Sequence, residues 1–331
     1  MFSTNRFLLC LLTSLCLWGC APAPQSQLDT YLSRLENLTQ NEAVATPLPL
    51  HPLPRSSELL RPVPELDISI LELGELNRCG LSTLIGERNS ALGRQQVPVT
   101  RLIYRIELLR RIPTCVQDPE IPQKLKQKLQ RFATLSQSSM KALFWNYLVS
   151  TPAIRQQFQP RKHWPHADAS LSEATLALTF MLKIKQHMLA GALPTEKDLQ
   201  TLLQHQAILE NTRPLSDLLF AQRAYLPELA SANTLLRQAP EALQCAGKMN
   251  PQANYLLNVF NKYYSGQIQP YLVVLNHWHQ ALVPHLESLL LDEYSDWWPQ
   301  NPLPWYDIRV HTKQHARAWQ DLFKSCKLSP F

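Results

Sequence analysis

The chain has 331 residues, 45% of them apolar, with 32 Lys and Arg against 26 Asp and Glu for a formal net charge of +6. That apolar content supplies a large core and excludes a disordered chain. The positive charge is modest and dispersed, which excludes nucleic acid as a partner; the densest patch, Lys124, Lys126, Lys128 and Arg131, reads as a solvated helix face.

Arg6 and the free amine of Met1 precede an apolar run from Phe7 to Leu17. A bilayer span needs about 20 apolar residues, so this shorter run reads as an export signal over residues 1–19. It closes on Leu17-Trp18-Gly19-Cys20. That ending resembles the lipobox of bacterial lipoprotein signals, with an aliphatic residue, a small residue and then the cysteine whose sulfur takes a diacylglyceryl group. Cleavage before Cys20 would free its amine for a further, palmitate-like acyl chain, and several chains on one residue anchor stably. Ala21 follows in place of the Asp that marks inner-membrane retention in many enteric lipoproteins. The expected location is the outer membrane, lipid-anchored through Cys20 and facing the periplasm.

Residues 20–64 read as a lipidated, Pro-rich tether. It carries a short amphipathic helix with Leu28, Leu32, Leu35 and Leu38 on one face, then six prolines between Pro47 and Pro64. Residues 65–331 read as a helical periplasmic domain. Its first helix sets Leu66, Ile70, Leu73, Leu81, Leu84 and Ile85 inward and stops at Gly93. A second starts at Pro98, carries Leu102, Ile106 and Leu109, and ends near Pro113; a third runs from Pro122 to Ser150. A loop around His163 follows, then helices over 171–189, 196–211 and 215–236, the last broken at Pro227. A long helix begins after Pro251, kinked at Pro270 and Pro284, and a Trp297-Trp298 loop leads to a final helix over 306–326. Glycine is scarce at 8, proline plentiful at 26, and alternating strand patterns are absent. The predicted fold class is all-α: an irregular multi-helix bundle with Pro-kinked helices, preceded by a Pro-rich tether.

With Cys10 and Cys16 in the leader and Cys20 lipidated, Cys79, Cys115, Cys245 and Cys326 remain. In an oxidising periplasm an even remainder predicts two disulfides, with three connectivities open. Antiparallel packing of the first two helices about the 93–98 loop brings Cys79 level with Cys115, which leaves Cys245 and Cys326 as the second pair by elimination.

The stretches Arg78-Cys79-Gly80-Leu81, Glu87 to Gly93, Trp145-Asn146, Gly266 to Leu272 and His311 to Trp319, with Cys326, resemble the Domain of Unknown Function 3080 family of proteobacterial lipoproteins. The resemblance covers nearly the whole chain, leader included. It implies an exported lipoprotein and no particular activity.

Chemistry-bearing motifs are sparse. His311 and His315, one helical turn apart, have the spacing of two zinc ligands, but Thr312 stands where a hydrolytic zincin has Glu and no third ligand is identifiable. They read as surface histidines, and no metal, cofactor or catalytic residue is assigned. The loop histidines His163 and His166 leave a weak metal site open. Ser138 and Lys141 match S-x-x-K, but the third element of that enzyme class is missing.

The candidate polar cluster is Glu87, Arg88 and Asn89, expected to meet Asn146 and the Tyr263 to Tyr271 segment. Arg88 falls on the apolar stripe of its helix, where a guanidinium needs a partner from another helix or a bound anion. A structural network is the plainer reading of that cluster. Trp297, Trp298, Trp305 and Tyr306 read either as loop core or as an exposed patch for a partner. Two functional classes fit the whole. One is a non-catalytic binding or scaffold module of the cell envelope, with an envelope protein as partner; the other is an envelope enzyme with a site assembled from helix faces. The lack of recognisable catalytic motifs points to the first.

Overall fold

The computed structural model describes residues 23–49, 53–94, 97–166, 169–245, 251–290 and 306–328. The expected leader, the lipidation site Cys20 and the aromatic residues Trp297, Trp298 and Trp305 lie outside the described residues. Among the described residues the fold is all-α, with no strand. The principal helices are α1 (Pro24–Thr39), α2 (Ile70–Glu75), α3 (Leu81–Asn89), α4 (Pro98–Gln117), α5 (Gln123–Ser138) and α6 (Met140–Ser150). They continue as α7 (Ala169–Leu189), α8 (Glu196–Thr212), α9 (Pro214–Ala242), α10 (Pro251–Asn258), α11 (Gln269–Leu290) and α12 (Ile308–Ser325). A π-helical stretch, Val259–Ile268, links α10 to α11.

The described residues divide into two compact units. One draws on the stretches Met1–Pro47, Ala224–Val273 and Val310–Phe331; the other draws on Leu48–Arg223 and Val274–Arg309.

In the first unit, α1 buries Leu28, Tyr31, Leu32, Leu35 and Leu38, a stripe set by helical spacing, and packs along the π-helical stretch. Each such leucine contributes about 1.5–3 kcal/mol by leaving water. The same unit buries Leu256, Val259, Tyr264, Trp319 and Leu322, with the Tyr264 and Trp319 rings 6.4 and 6.5 Å from that of Tyr31. A disulfide joins Cys245 to Cys326, with Cα atoms 4.5 Å apart.

In the second unit, α4 is the central element. It buries Leu102, Ile106, Leu108, Leu109 and Ile112 and contacts α3, α5 and α6. A second disulfide joins Cys115 on its last turn to Cys79, with Cα atoms 5.1 Å apart. The segment after residue 53 lies against α6: Trp145 Nε1 donates to the Leu59 carbonyl at 2.7 Å. Both described parts of the expected tether, the α1 stretch and residues 53–64, are therefore packed against helices of their own unit.

Several helix boundaries differ from the sequence expectation. The first expected helix is split. A capping box of Ser69 with Glu72 starts α2 at Ile70, and Gly80 at φ +74° turns the chain before α3. Ile70, expected inward, is 88% exposed as a result. Helix α4 runs through Pro113 to Gln117, because Pro113 lies on the solvent side and the disulfide at Cys115 fastens the last turn. The expected third helix breaks at Ser139, where the hydroxyls of Ser138 and Ser139 both donate to the Leu135 carbonyl and compete with the ladder. Helix α9 continues through Pro227, where one lost backbone hydrogen bond is offset by burial of Leu226 and Leu229 on either side. At Pro270 the helix widens into the π-helical stretch that precedes it, since proline offers no N–H to the Gly266 carbonyl.

Candidate functional site

The second unit holds a cavity of about 350 Å³ whose walls carry four arginines, Arg61, Arg88, Arg101 and Arg105, against one carboxylate, Glu65. Three structural pieces place these groups. Helix α4 begins at Pro98, whose fixed φ and missing N–H suit a first helical position. Arg101 and Arg105 follow one turn apart, so both face the cavity with Leu102 and Tyr104 between them. Helix α3 carries Arg88 in its last turn, and α6 contributes Leu143, Asn146, Tyr147 and Ser150.

The fourth wall is the extended segment 60–65, and Asn146 fixes it. Its Oδ1 accepts from the Arg61 backbone N–H and its Nδ2 donates to the Arg61 carbonyl, both at 2.8 Å. A side-chain amide thus stands in for a neighbouring strand and satisfies both backbone groups of one residue.

Arg105 is the most enclosed of the four, its side chain 8% exposed. It lies 5.2 Å over the Phe132 ring and donates to the Pro64 carbonyl and, at 3.1 Å, to Glu65 Oε1. Arg88 is half-buried, donates to the Gly93 carbonyl at 3.2 Å and sits 6.0 Å from the Tyr104 ring centre. Burial raises the Tyr104 phenol above its usual range, with Arg105 and Arg88 pulling the other way. Burial raises Tyr147 too, and its hydroxyl donates to Gln206 at 3.3 Å. Both phenols are therefore neutral donors at physiological pH.

Of the sequence-predicted cluster, the structure brings Arg88 and Asn146 to this one cavity. Glu87 and Asn89, beside Arg88, point outward and are exposed. Tyr263 and Tyr271 belong to the first unit. There Tyr263 lies 5.6 Å under Arg34, and Tyr271 is buried 5.1 Å from the Tyr225 ring. The partner of Arg88 is a backbone carbonyl and an aromatic face.

His315 is not a surface residue. It is fully buried in the first unit, accepting at Nε2 from Tyr31 Oη at 2.8 Å and donating from Nδ1 to Asn233 Oδ1 at 2.5 Å. Trp319 Nε1 donates to Tyr31 Oη at 2.9 Å, which completes a four-residue chain. Burial takes the imidazole down to about 3. His163 bonds Asp217, which also holds Arg161. Among the described residues, no three His, Cys, Asp or Glu are grouped to hold a metal ion.

A family model described as Protein of unknown function (DUF3080) matches residues 28–330. The chain belongs to this family. No curated protein and no solved structure matches this chain.

This DUF3080 chain therefore carries a site that sequence reading found only at its edge. Arg88 and Asn146 stood out as polar residues in apolar surroundings. Arg101 and Arg105 did not, although two arginines four residues apart on one helix repel by a few tenths of a kcal/mol and so invite an anion between them. Glu65 gave no local signal at all, because its segment is held by side chains distant in sequence.

Proposed function

We propose that this protein is a non-catalytic binding module of the bacterial envelope, anchored on the outer membrane through lipid on Cys20 and facing the periplasm, with its ligand seat in the arginine-lined cavity. The observation that carries the binding reading is the cavity itself: four arginines and one glutamate are among the residues that line a partly open space. Arginine's planar fork matches the oxygens of carboxylates and phosphates, so such a wall favours an anion. Among the described residues its lining includes no His, Cys or Asp. The lipobox-like ending at Cys20 supports anchoring, and the two disulfides suit an oxidising compartment. No described helix is long and apolar enough to cross a membrane.

Intact-mass analysis of membrane-extracted protein tests the anchor. Loss of residues 1–19 with added acyl mass is expected, and an unmodified Cys20 on a soluble mature chain would refute it. Native mass spectrometry of the same material tests the seat. A small anionic molecule should accompany the wild type and be missing from an Arg88→Ala, Arg101→Ala double variant; equal retention by both would place the ligand elsewhere.

A further inference from the structure

We propose that His163 and His166 form an open copper(II) site, in which Asp217 positions the His163 ring and water completes the coordination. None of these residues lines the arginine-walled cavity.

The loop that carries the two histidines is fastened on both sides of each. Before them, the Arg161 backbone N–H donates to Ser216 Oγ at 3.1 Å, and the Arg161 guanidinium bonds the Thr212 carbonyl and Asp217. Between them, Trp164 packs edge-on against Phe220 with ring centres 5.0 Å apart, and Pro165 is buried. After them, the His166 carbonyl accepts from Trp278 Nε1 at 2.9 Å. The backbone is thus held from α9 and α11, while both imidazoles are exposed. A rigid loop that presents two exposed rings side by side is a preorganised pair of donors.

Asp217 is 2% exposed and is already gripped by two nitrogens of the Arg161 fork, which balances its charge. Its further bond to His163 therefore acts on the ring. Nδ1–H donates to Asp217 Oδ2 at 2.8 Å, and Nε2 is left as the lone-pair nitrogen of a side chain that is 51% exposed. A buried carboxylate behind one ring nitrogen and an open lone pair on the other is how proteins hold a metal-ligating imidazole. Among the described residues no protein group bonds Nε2 of His163 or either ring nitrogen of His166. The two ring centres are 6.2 Å apart. With metal–nitrogen bonds of about 2.0 Å, two imidazoles on one ion lie roughly 4.5 to 6.3 Å apart, centre to centre, as the angle at the metal opens from 90° to 180°. Both rings thus reach one ion once His166 turns about its own torsions, which no hydrogen bond opposes. Among the described residues no third His, Cys, Asp or Glu joins them. Two imidazoles with water suit copper(II), which accepts tetragonal nitrogen and oxygen donors and heads the affinity order of the divalent first-row ions, whereas structural zinc takes four protein ligands.

Titration of the whole mature protein with copper(II) chloride in a non-coordinating buffer, followed by electron paramagnetic resonance, tests the site. The first equivalent should show coupling to two imidazole nitrogens. His163→Gln and His166→Gln, both on exposed side chains, should each weaken that equivalent by about tenfold or more and leave thermal melting unchanged. Zinc chloride should bind more weakly than copper at the same place. The role of Asp217 is read without a variant, from the ¹⁵N shifts of the metal-free wild type, which should show His163 protonated at Nδ1. Asp217→Asn, where it folds, should weaken copper by about tenfold to a hundredfold. A first equivalent that is unchanged in the His163→Gln, His166→Gln double variant overturns the site. Coupling to a single nitrogen overturns the pair, and zinc binding more tightly than copper overturns the choice of metal. A His163 ring protonated at Nε2 overturns the positioning role of Asp217.

Discussion

Tyr31 and His315 share a 2.8 Å hydrogen bond although 284 residues separate them, and both side chains are fully buried. With Asn233 on the other ring nitrogen and Trp319 on the phenol, both ring nitrogens of a neutral imidazole and the Tyr31 hydroxyl are satisfied.

That neutrality sets a pH dependence. Burial holds His315 down at about 3, while an unfolded histidine titrates near 6.5. Between those values the unfolded chain binds more protons than the folded one. The contribution of His315 is therefore complete above pH 6.5 and drains away as pH falls toward 3. Replacing it by Gln should cost about 1–3 kcal/mol at pH 7.5, from the broken network. The gap between wild type and His315→Gln in urea unfolding should then narrow by about 1.4 kcal/mol per pH unit below pH 6. A gap that stays constant from pH 7.5 to 5 would contradict this account.

The disulfides close loops of different length. Cys79 and Cys115 are 36 residues apart, Cys245 and Cys326 are 81 apart. Chain entropy then assigns about 4 kcal/mol to the first bridge and about 4.5 kcal/mol to the second. Denaturant titration of Cys79→Ala, Cys115→Ala and of Cys245→Ala, Cys326→Ala should show losses of that order. A loss under about 1 kcal/mol from either pair would show that its thiols do little to hold the fold.

Two glycines near the cavity should respond in opposite ways to alanine. A Cβ at Gly93 would lie 2.0 Å from the Glu87 carbonyl oxygen and 2.6 Å from that of Arg88, both rigid backbone. Gly93→Ala should therefore cost about 1–3 kcal/mol. A Cβ at Gly86, inside α3, meets nothing within 4 Å, so Gly86→Ala should stabilise by about 0.5–1 kcal/mol. Thermal melts of the two single variants, moving in the same direction, would be incompatible with this packing.

Asn146 predicts a local effect. Its two bonds to the Arg61 backbone should protect that amide from exchange. Asn146→Ala should speed hydrogen exchange at Arg61 by tenfold or more while leaving the amides of α4 unchanged. Equal exchange in both proteins would mean that the segment is held by Trp145 alone.

Helix identity was legible because the apolar spacing of α1, α4 and α7 is regular and proline marks half of the starts. Helix ends were less legible. Pro113 and Pro227 read as stops, yet each sits where burial or a disulfide outweighs one missing hydrogen bond. The cysteine pairs followed from the hairpin of the first two helices and from counting. His315 was misread because the two histidines on α12 share a face, and nothing local says that this face meets Tyr31 and Asn233. The cavity was half legible for the same reason. Arg88 stood out against its own helix, but Glu65 acquires meaning only through Arg105, 40 residues away.

The first unit has a consequence for how the chain is made. Its earliest described helix finds its partners near the other end, since Tyr31 and Trp319 are 288 residues apart. At about 5–20 residues per second, synthesis leaves the apolar stripe of α1 without its native cover for roughly 15–60 s. Leu28, Tyr31, Leu32 and Leu35 are thus a binding surface for a holding chaperone long before they are a core. A chain cut short before α12 would keep that surface exposed for good, and quality control would meet it as an adhesive, unfinished protein rather than as a slightly shortened one.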